Sequence, residues 1–197
     1  IWQYCVQYLI KGCDNMCMTN DTWKQDCISC AFTGHRPHKF PWKTNEADPR
    51  CVTLIAVLAK QVGKLVAAGV TDFCSGMADG SDVWLSQIVL DLRKENPALK
   101  LHCYLPCEGQ ADKWSSSAQE RYHSILGQAD SVIYVSHKYY DGCMIARNHH
   151  LVEAAGRLLA VFNGVKRSGT GATLNYARKL GREILIIEPV SLAISHS

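Results

Sequence analysis

Glycines, hydroxyls and charged side chains are bunched at the ends of three short apolar runs. Cys30-Ala31-Phe32-Thr33 leads into Gly34-His35-Arg36-Pro37. Val70-Thr71-Asp72-Phe73-Cys74 leads into Ser75-Gly76-Met77-Ala78-Asp79-Gly80-Ser81-Asp82. Leu158-Leu159-Ala160-Val161-Phe162 leads into Asn163-Gly164 and then Ser168-Gly169-Thr170-Gly171. A buried strand followed by a small-residue turn and a helix start is a natural anion seat. Glycine lets the backbone come close, and the first turn of a helix offers unpaired N–H groups at the positive end of its dipole. Three such turns together imply one shared ligand crevice.

Each turn also has a plainer reading. Gly34 could admit a ligand, with Arg36 forking onto a phosphate or carboxylate and His35 bonding a base or ribose or moving a proton. Equally, the four residues could be a tight turn with an exposed arginine. In the second turn, Ser75 and the Gly76 N–H, next to Met77, could hold phosphate while Asp79 or Asp82 takes sugar hydroxyls. Ser81 or Gly80 could simply cap the helix. Gly169 and Thr170 carry the strongest local signal for a phosphate cradle. The stretch lacks the Gly-Lys-Ser/Thr ending of a Walker loop, and no Gly-x-Gly-x-x-Gly follows the first strand, which argues against a P-loop nucleotidase and an ordinary dehydrogenase.

Further charged groups fall near the same level of the chain. Glu108, in Pro106-Cys107-Glu108, could bind sugar hydroxyls or act as a general base. Trp114 could cover a nucleobase or anchor the core. Arg147 and Asn148 open a helix and suit an anionic ligand, whereas the adjacent His149 and His150 diverge on a helix and make a poor metal signature. Cys13, Cys17, Cys27 and Cys30 form two closely spaced pairs that could make a zinc knuckle, against which Cys30 should lie buried in a strand. No other metal and no definite cofactor is indicated.

The elements that must position these groups are legible in the periodicity. Apolar runs mark strands near 28–33, 72–75, 101–105, 131–135, 158–162 and 183–187. Helical spacing marks 51–68, 81–94, 117–126, 143–155 and 171–180, with Gly69, Pro97, Gly156 and Gly181 as stops. Alternation of this kind gives an α/β fold, Rossmann-like and doubly wound, with a mostly parallel sheet of about six strands and helices on both faces. Near-continuous apolar strands are what two covered faces require. Residues 28–190 make this domain, 1–27 read as an appended cysteine-rich segment, and 191–197 as a tail.

The chain has 197 residues, 47% of them hydrophobic and 20% charged, with a formal net charge of +3. That length fits one domain with one substantial core. The weak, evenly mixed charge argues against nucleic acid or an anionic membrane as partner. With neither a secretory pattern nor a membrane-length apolar run, the expected location is the cytoplasm. Ten cysteines in such a chain read mostly as small buried hydrophobes rather than a disulfide framework. Self-association is open, though no interface is marked.

Taken in order, the stretch from Cys30 to Trp42, Ser75-Gly76-Met77-Ala78, Pro106-Cys107-Glu108, Cys143-Met144-Ile145-Ala146-Arg147-Asn148 and Ser168-Gly169-Thr170 resemble the YpsA-like branch of the SLOG superfamily. The similarity runs from about Ile28 to Pro189. It implies a Rossmann-like fold related to the DNA-processing protein DprA and to the cytokinin-activating phosphoribohydrolases, and a role in sensing or processing nucleotide-derived, including ADP-ribose-like, ligands. The phosphoribohydrolases carry a Pro-Gly-Gly-x-Gly-Thr-x-x-Glu motif with a catalytic Glu. Here the corresponding stretch has Thr173 and Asn175 and no Glu, so N-glycosidic cleavage by that route is not expected.

Three functions follow in order of preference. The first is binding of a nucleotide or nucleotide-sugar, with Arg36, Arg147 and the small-residue turns on the phosphate and Asp82 or Glu108 on the sugar. The second is hydrolysis of a nucleoside or ADP-ribose derivative, with Glu108, Asp82 or His35 as acid or base. The third is single-stranded nucleic-acid binding.

Overall fold

The computed structural model describes residues 28–197. Its elements alternate as the periodicity requires. They are β1 (Ser29–Gly34), α1 (Pro49–Ala67), β2 (Asp72–Ser75), α2 (Ser81–Arg93), β3 (Lys100–Leu105), α3 (Ser116–Leu126), β4 (Ser131–Tyr134), α4 (Cys143–Glu153), β5 (Arg157–Val161), α5 (Gly169–Lys179), β6 (Glu183–Ile187) and β7 (Ile194–His196). The long connection after β1 holds a short 3-10 turn at Pro37–Lys39.

Local chemistry explains the helix starts. Asp48 caps α1 by accepting the Arg50 N–H at 2.9 Å, with Pro49 set at the first helical position, where no N–H is needed. Ser168 caps α5 by accepting the Gly171 N–H at 3.1 Å. Helix α2 starts from Gly80, at φ 95°, with no side-chain cap.

The sheet has seven strands in the order β4-β3-β2-β1-β5-β6-β7. All neighbours are parallel except β6 and β7. The seventh strand is an addition to the expected six. Residues 194–196 pair with 185–187 although their side chains are exposed, so they lack the apolar signature of a buried strand.

Helices α1, α2 and α3 pack on one face of the sheet around Phe32, Phe73, Leu101 and Val161. Helices α4 and α5 pack on the other around Ala31, Cys74, Leu158 and Ala160. β5 is buried along its whole length, but β4 departs from the fully covered pattern. Val132, Ile133 and Tyr134 are each at least 36% exposed, because β4 is the sheet's edge and its helices lie over its inner neighbours.

The strand order reverses at β1. The chain leaves β1 toward β2 and leaves β5 in the opposite direction toward β6. Loops diverge at such a point, which opens a crevice at the carboxyl ends of the two strands. The first and third small-residue turns lie on its two sides.

Candidate functional site

His35 directly follows β1 at this switch point. Its ring is buried, and Nε2 lies 2.7 Å from Asn163 Oδ1 in the loop after β5. The Asn163 backbone N–H sits 3.1 Å from the same nitrogen, so either neutral tautomer ties the two loops together. Thr170 Oγ1 stands 3.5 Å from Nδ1. Burial is the largest influence on this imidazole and pulls its pKa below the usual 6.5, against the opposing bond to Asn163. His35 is thus a neutral clamp across the switch point, while its neighbour Arg36 is exposed on the rim.

Gly34 sits where α2 begins. A Cβ there would collide with Ser81 Cβ and Oγ, so the close approach it permits is that of α2 to β1. The Ser81 hydroxyl then donates to the His35 carbonyl at 3.1 Å.

The turn after β2 is held from within. Ser75 Oγ accepts the Met77 N–H at 3.1 Å and lies 2.8 Å from the Ser86 hydroxyl, and the residue is fully buried. Met77 adopts a left-handed conformation (φ 51°), rare for a side-chain-bearing residue. Gln110 Nε2 donates to the Met77 carbonyl at 2.5 Å. Gln110 has no motif around it, and nothing in the residue pattern of the loop after β3 marks this reach. Asp79 is half-buried, and its carboxyl is pushed above the ordinary range chiefly by desolvation.

Arg147 comes from α4 and lies buried against this turn. Nη1 donates to the Gly76 carbonyl, and Nε donates to Asn148 Oδ1 at 2.8 Å. Gly76 is glycine for this reason, since a Cβ would run into the guanidinium. Nη2 makes no hydrogen bond among the described residues. Asn148 Nδ2 donates to Thr173 Oγ1 at 2.8 Å, and Thr173 donates to the Gly169 carbonyl at 2.9 Å. One polar chain therefore links the turn after β2, α4 and the start of α5.

Asp82 completes the cluster. It is 4% exposed, and Oδ2 accepts the Ala78 N–H in a long 3.4 Å bond. Oδ1 is buried without a partner among the described residues. Burial pushes this carboxyl up to about 6, against the pull of Arg147, the Ala78 N–H, Arg36 and the Gly34 N–H. The Arg147 guanidinium is pushed down by its own burial first; the Asp82 carboxylate opposes that shift, and Arg36 adds to it. Arg36, Arg147 and Asp82 therefore share one electrostatic neighbourhood.

Other candidates lie apart from this network. Glu108 is exposed and pairs with exposed His137 at 2.8 Å. Trp114 is half-buried against the core, its ring edge-on to Tyr122, so it anchors α3. Cys13, Cys17 and Cys27 lie outside the described residues, and Cys30 is buried in β1. Among the described residues no group of three or more His, Cys, Asp or Glu is placed to hold a metal. No described helix is long and apolar enough to cross a membrane.

Four of the sequence motifs, from four separate connections, thus converge at the carboxyl ends of the strands. The family model of the YspA SLOG family (YpsA) matches residues 30–189, which span the site and the sheet up to β6. The chain belongs to the YpsA family of the SLOG superfamily. A UPF0398 protein of Bacillus pumilus is 30% identical over 136 residues, covering 68% of this chain and 72% of that protein. Another UPF0398 protein, from Halalkalibacterium halodurans, is 26% identical over 151 residues, covering 75% of this chain and 79% of the relative. Among solved structures, DNA processing protein A from Helicobacter pylori, described for its single-stranded DNA binding mode, aligns with a TM-score of 0.55 at 16% identity. That alignment covers 85% of this chain and 69% of the other. At this identity the likeness is one of fold, and it supports the Rossmann-like architecture of this YpsA-family chain.

Proposed function

We propose that this YpsA-family protein binds a nucleotide-derived anion at the crevice between the ends of β1 and β5. The observation that carries this reading is a buried arginine at the carboxyl ends of the strands: Arg147 is held by the Gly76 carbonyl and Asn148, with exposed Arg36 and buried Asp82 in its electrostatic neighbourhood. Two like charges in one neighbourhood, one of them buried, favour an anion bound within reach of both. The open Nη2 of Arg147 and the exposed fork of Arg36 are the natural donors. Gly169, with open space beside it, begins α5, whose N-terminus offers backbone N–H groups and a favourable dipole.

Binding without turnover is the preferred form. The acid–base candidates Glu108 and Asp82 do not share a network, and His35 is spent on clamping two loops. The stretch that corresponds to the phosphoribohydrolase motif has Thr173 and Asn175 and no glutamate. Isothermal titration of the full chain with AMP, ADP and ADP-ribose tests the reading. Arg36→Ala should weaken binding at least about tenfold with an unchanged melting temperature, as loss of a charge-assisted bond implies. No heat with any of the three would overturn it.

A second reading, single-stranded DNA, has one observation of its own. Arg36 and Lys39 beyond β1, and Lys166 and Arg167 beyond β5, are exposed on the two loops that His35 and Asn163 join. The fold likeness to a DNA-binding protein adds to it. Four cations make a short footprint, so this reading stands second.

A further inference from the structure

A second set of polar side chains sits toward the amino ends of the strands. Asp72 and Ser131 are the first residues of β2 and β4, and His102 lies between them on β3. The register puts Cys74, His102 and Ser131 in one row, and alternation along β2 returns Asp72 to the face of Cys74. His102 Nε2 stands 3.0 Å from Asp72 Oδ1, and Nδ1 stands 2.8 Å from Ser131 Oγ. Asp72 Oδ2 accepts the Thr71 hydroxyl at 2.7 Å, which holds the carboxylate in place. A carboxylate only accepts, so in the neutral ring the nitrogen facing Asp72 carries the hydrogen. Nδ1 is left with a lone pair, and the Ser131 O–H donates to it.

Carboxylate, imidazole and hydroxyl thus stand in the order in which an imidazole serves a serine nucleophile as general base. The side chains of His102 and Asp72 are 24% and 23% exposed, and Ser131 is half-buried. Water reaches all three, so burial does not force them to pair with one another. Ile133 follows on the same face of β4, 42% exposed and in register with Tyr104, and gives an apolar platform next to the hydroxyl. β4 is the last strand of the sheet, so its outward N–H groups have no strand to pair with and offer donors to a developing oxyanion.

We infer that Ser131 is a nucleophile activated by His102, and that this face of β3 and β4 takes acyl groups from small apolar esters. The inference is independent of the nucleotide-anion reading, which concerns the carboxyl ends of the strands. Attack forms a bond between Ser131 Oγ and the acyl carbon while the hydroxyl proton passes to His102 Nδ1. The ester C–O bond then breaks, and the alcohol oxygen leaves with that proton. Water repeats the two transfers, which releases the acid and restores Ser131. Asp72 touches no reacting atom; it fixes the tautomer of His102 and is a positioning residue.

The test treats the full chain with an alkyl fluorophosphonate, from whose phosphorus an activated serine displaces fluoride. Intact mass and peptide mapping should find a single adduct, on Ser131, and the adduct should abolish hydrolysis of p-nitrophenyl acetate. Ser131→Ala should lose both reactions. Asp72→Asn should slow labelling at least about tenfold, and Asp72→Glu, which restores an acceptor, should recover most of the rate. No adduct on the wild-type chain, or an adduct on another residue, would overturn the inference. Labelling of Asp72→Asn at the wild-type rate would overturn the role of Asp72. The wild-type mapping requires no variant to fold.

Discussion

At the residue scale, Arg147 and Arg36 carry the same charge and do different work. Arg147 is buried, bonded to Gly76 and Asn148, and set beside Asp82. Removing the guanidinium takes its donors from the buried Gly76 carbonyl and from Asn148 Oδ1, so Arg147→Ala should cost about 3 kcal/mol in urea unfolding. Arg36 is exposed, and Arg36→Ala should change stability by less than about 0.5 kcal/mol. Loss of ligand binding in Arg147→Ala alone would thus be ambiguous, whereas loss in Arg36→Ala reports the site. Asp82 has a pH signature. Its folded-state pKa, about 6, lies above the ordinary 3.8. Its contribution to stability is therefore full below the unfolded value and is lost as pH rises through about 6. Asp82→Asn removes this titration. The wild-type melting temperature should fall relative to that of Asp82→Asn between pH 4 and pH 7, and the difference should level off above that. A constant difference across the range would mean that Asp82 does not titrate in this window. The sequence named both residues but not their shared burial, because Asp82 and Arg147 stand 65 positions apart and only the crossing of α4 over the sheet joins them.

At the scale of elements, the glycines of the site separate into packing and open positions. Gly34 lies where α2 touches β1, and Gly34→Ala forces a Cβ into Ser81. Over-packing of this kind costs about 1–3 kcal/mol, so a thermal melt should show a clear loss. Gly169 has nothing within 4 Å of a built Cβ, and Gly169→Ala should leave the melting temperature nearly unchanged. If that folded variant also binds nucleotide less well, the added methyl lies against ligand; unchanged binding would place the ligand away from the start of α5. In the sequence the two glycines look alike, each following an apolar run, and only the neighbour across the turn tells them apart. The helices and inner strands were legible to within a residue or two because their apolar spacing is set by burial, as in α1 with Cys51, Leu54, Leu58 and Leu65. The edges were less legible. β4 has the apolar run of an interior strand yet lies exposed, and β7 has exposed residues yet pairs with β6. Backbone pairing at an edge leaves little trace in side-chain pattern. Gln110 shows the same limit, since a glutamine in a loop carries no signal of the carbonyls it will reach.

For the whole molecule, the choice between a nucleotide and single-stranded DNA is a question of how many cations act together. The net charge of +3 gives little long-range attraction, so whatever discriminates must be local. A small nucleotide bound as proposed would meet Arg36 and Arg147. A strand crossing the rim would also engage Lys39, Lys166 and Arg167, all exposed on the loops after β1 and β5. Counterion release makes the difference measurable, because the logarithm of a single-strand binding constant falls with the logarithm of salt concentration by about 0.7 per neutralised phosphate. Engagement of the four exposed cations would give a slope near −3 for oligodeoxythymidine, and a Lys166→Ala, Arg167→Ala double variant should flatten it by about 1.4. The same double variant should bind ADP as the wild type does, since neither residue belongs to the Arg36–Arg147 pair. A steep slope that the double variant flattens, with weak and salt-insensitive ADP binding, would favour the strand. A nucleotide affinity that ignores Lys166 and Arg167 but collapses in Arg36→Ala would favour the small anion. The fold permits both, because one crevice at the reversal of strand order serves a free phosphate and a phosphate within a chain equally well; the loops beside it decide.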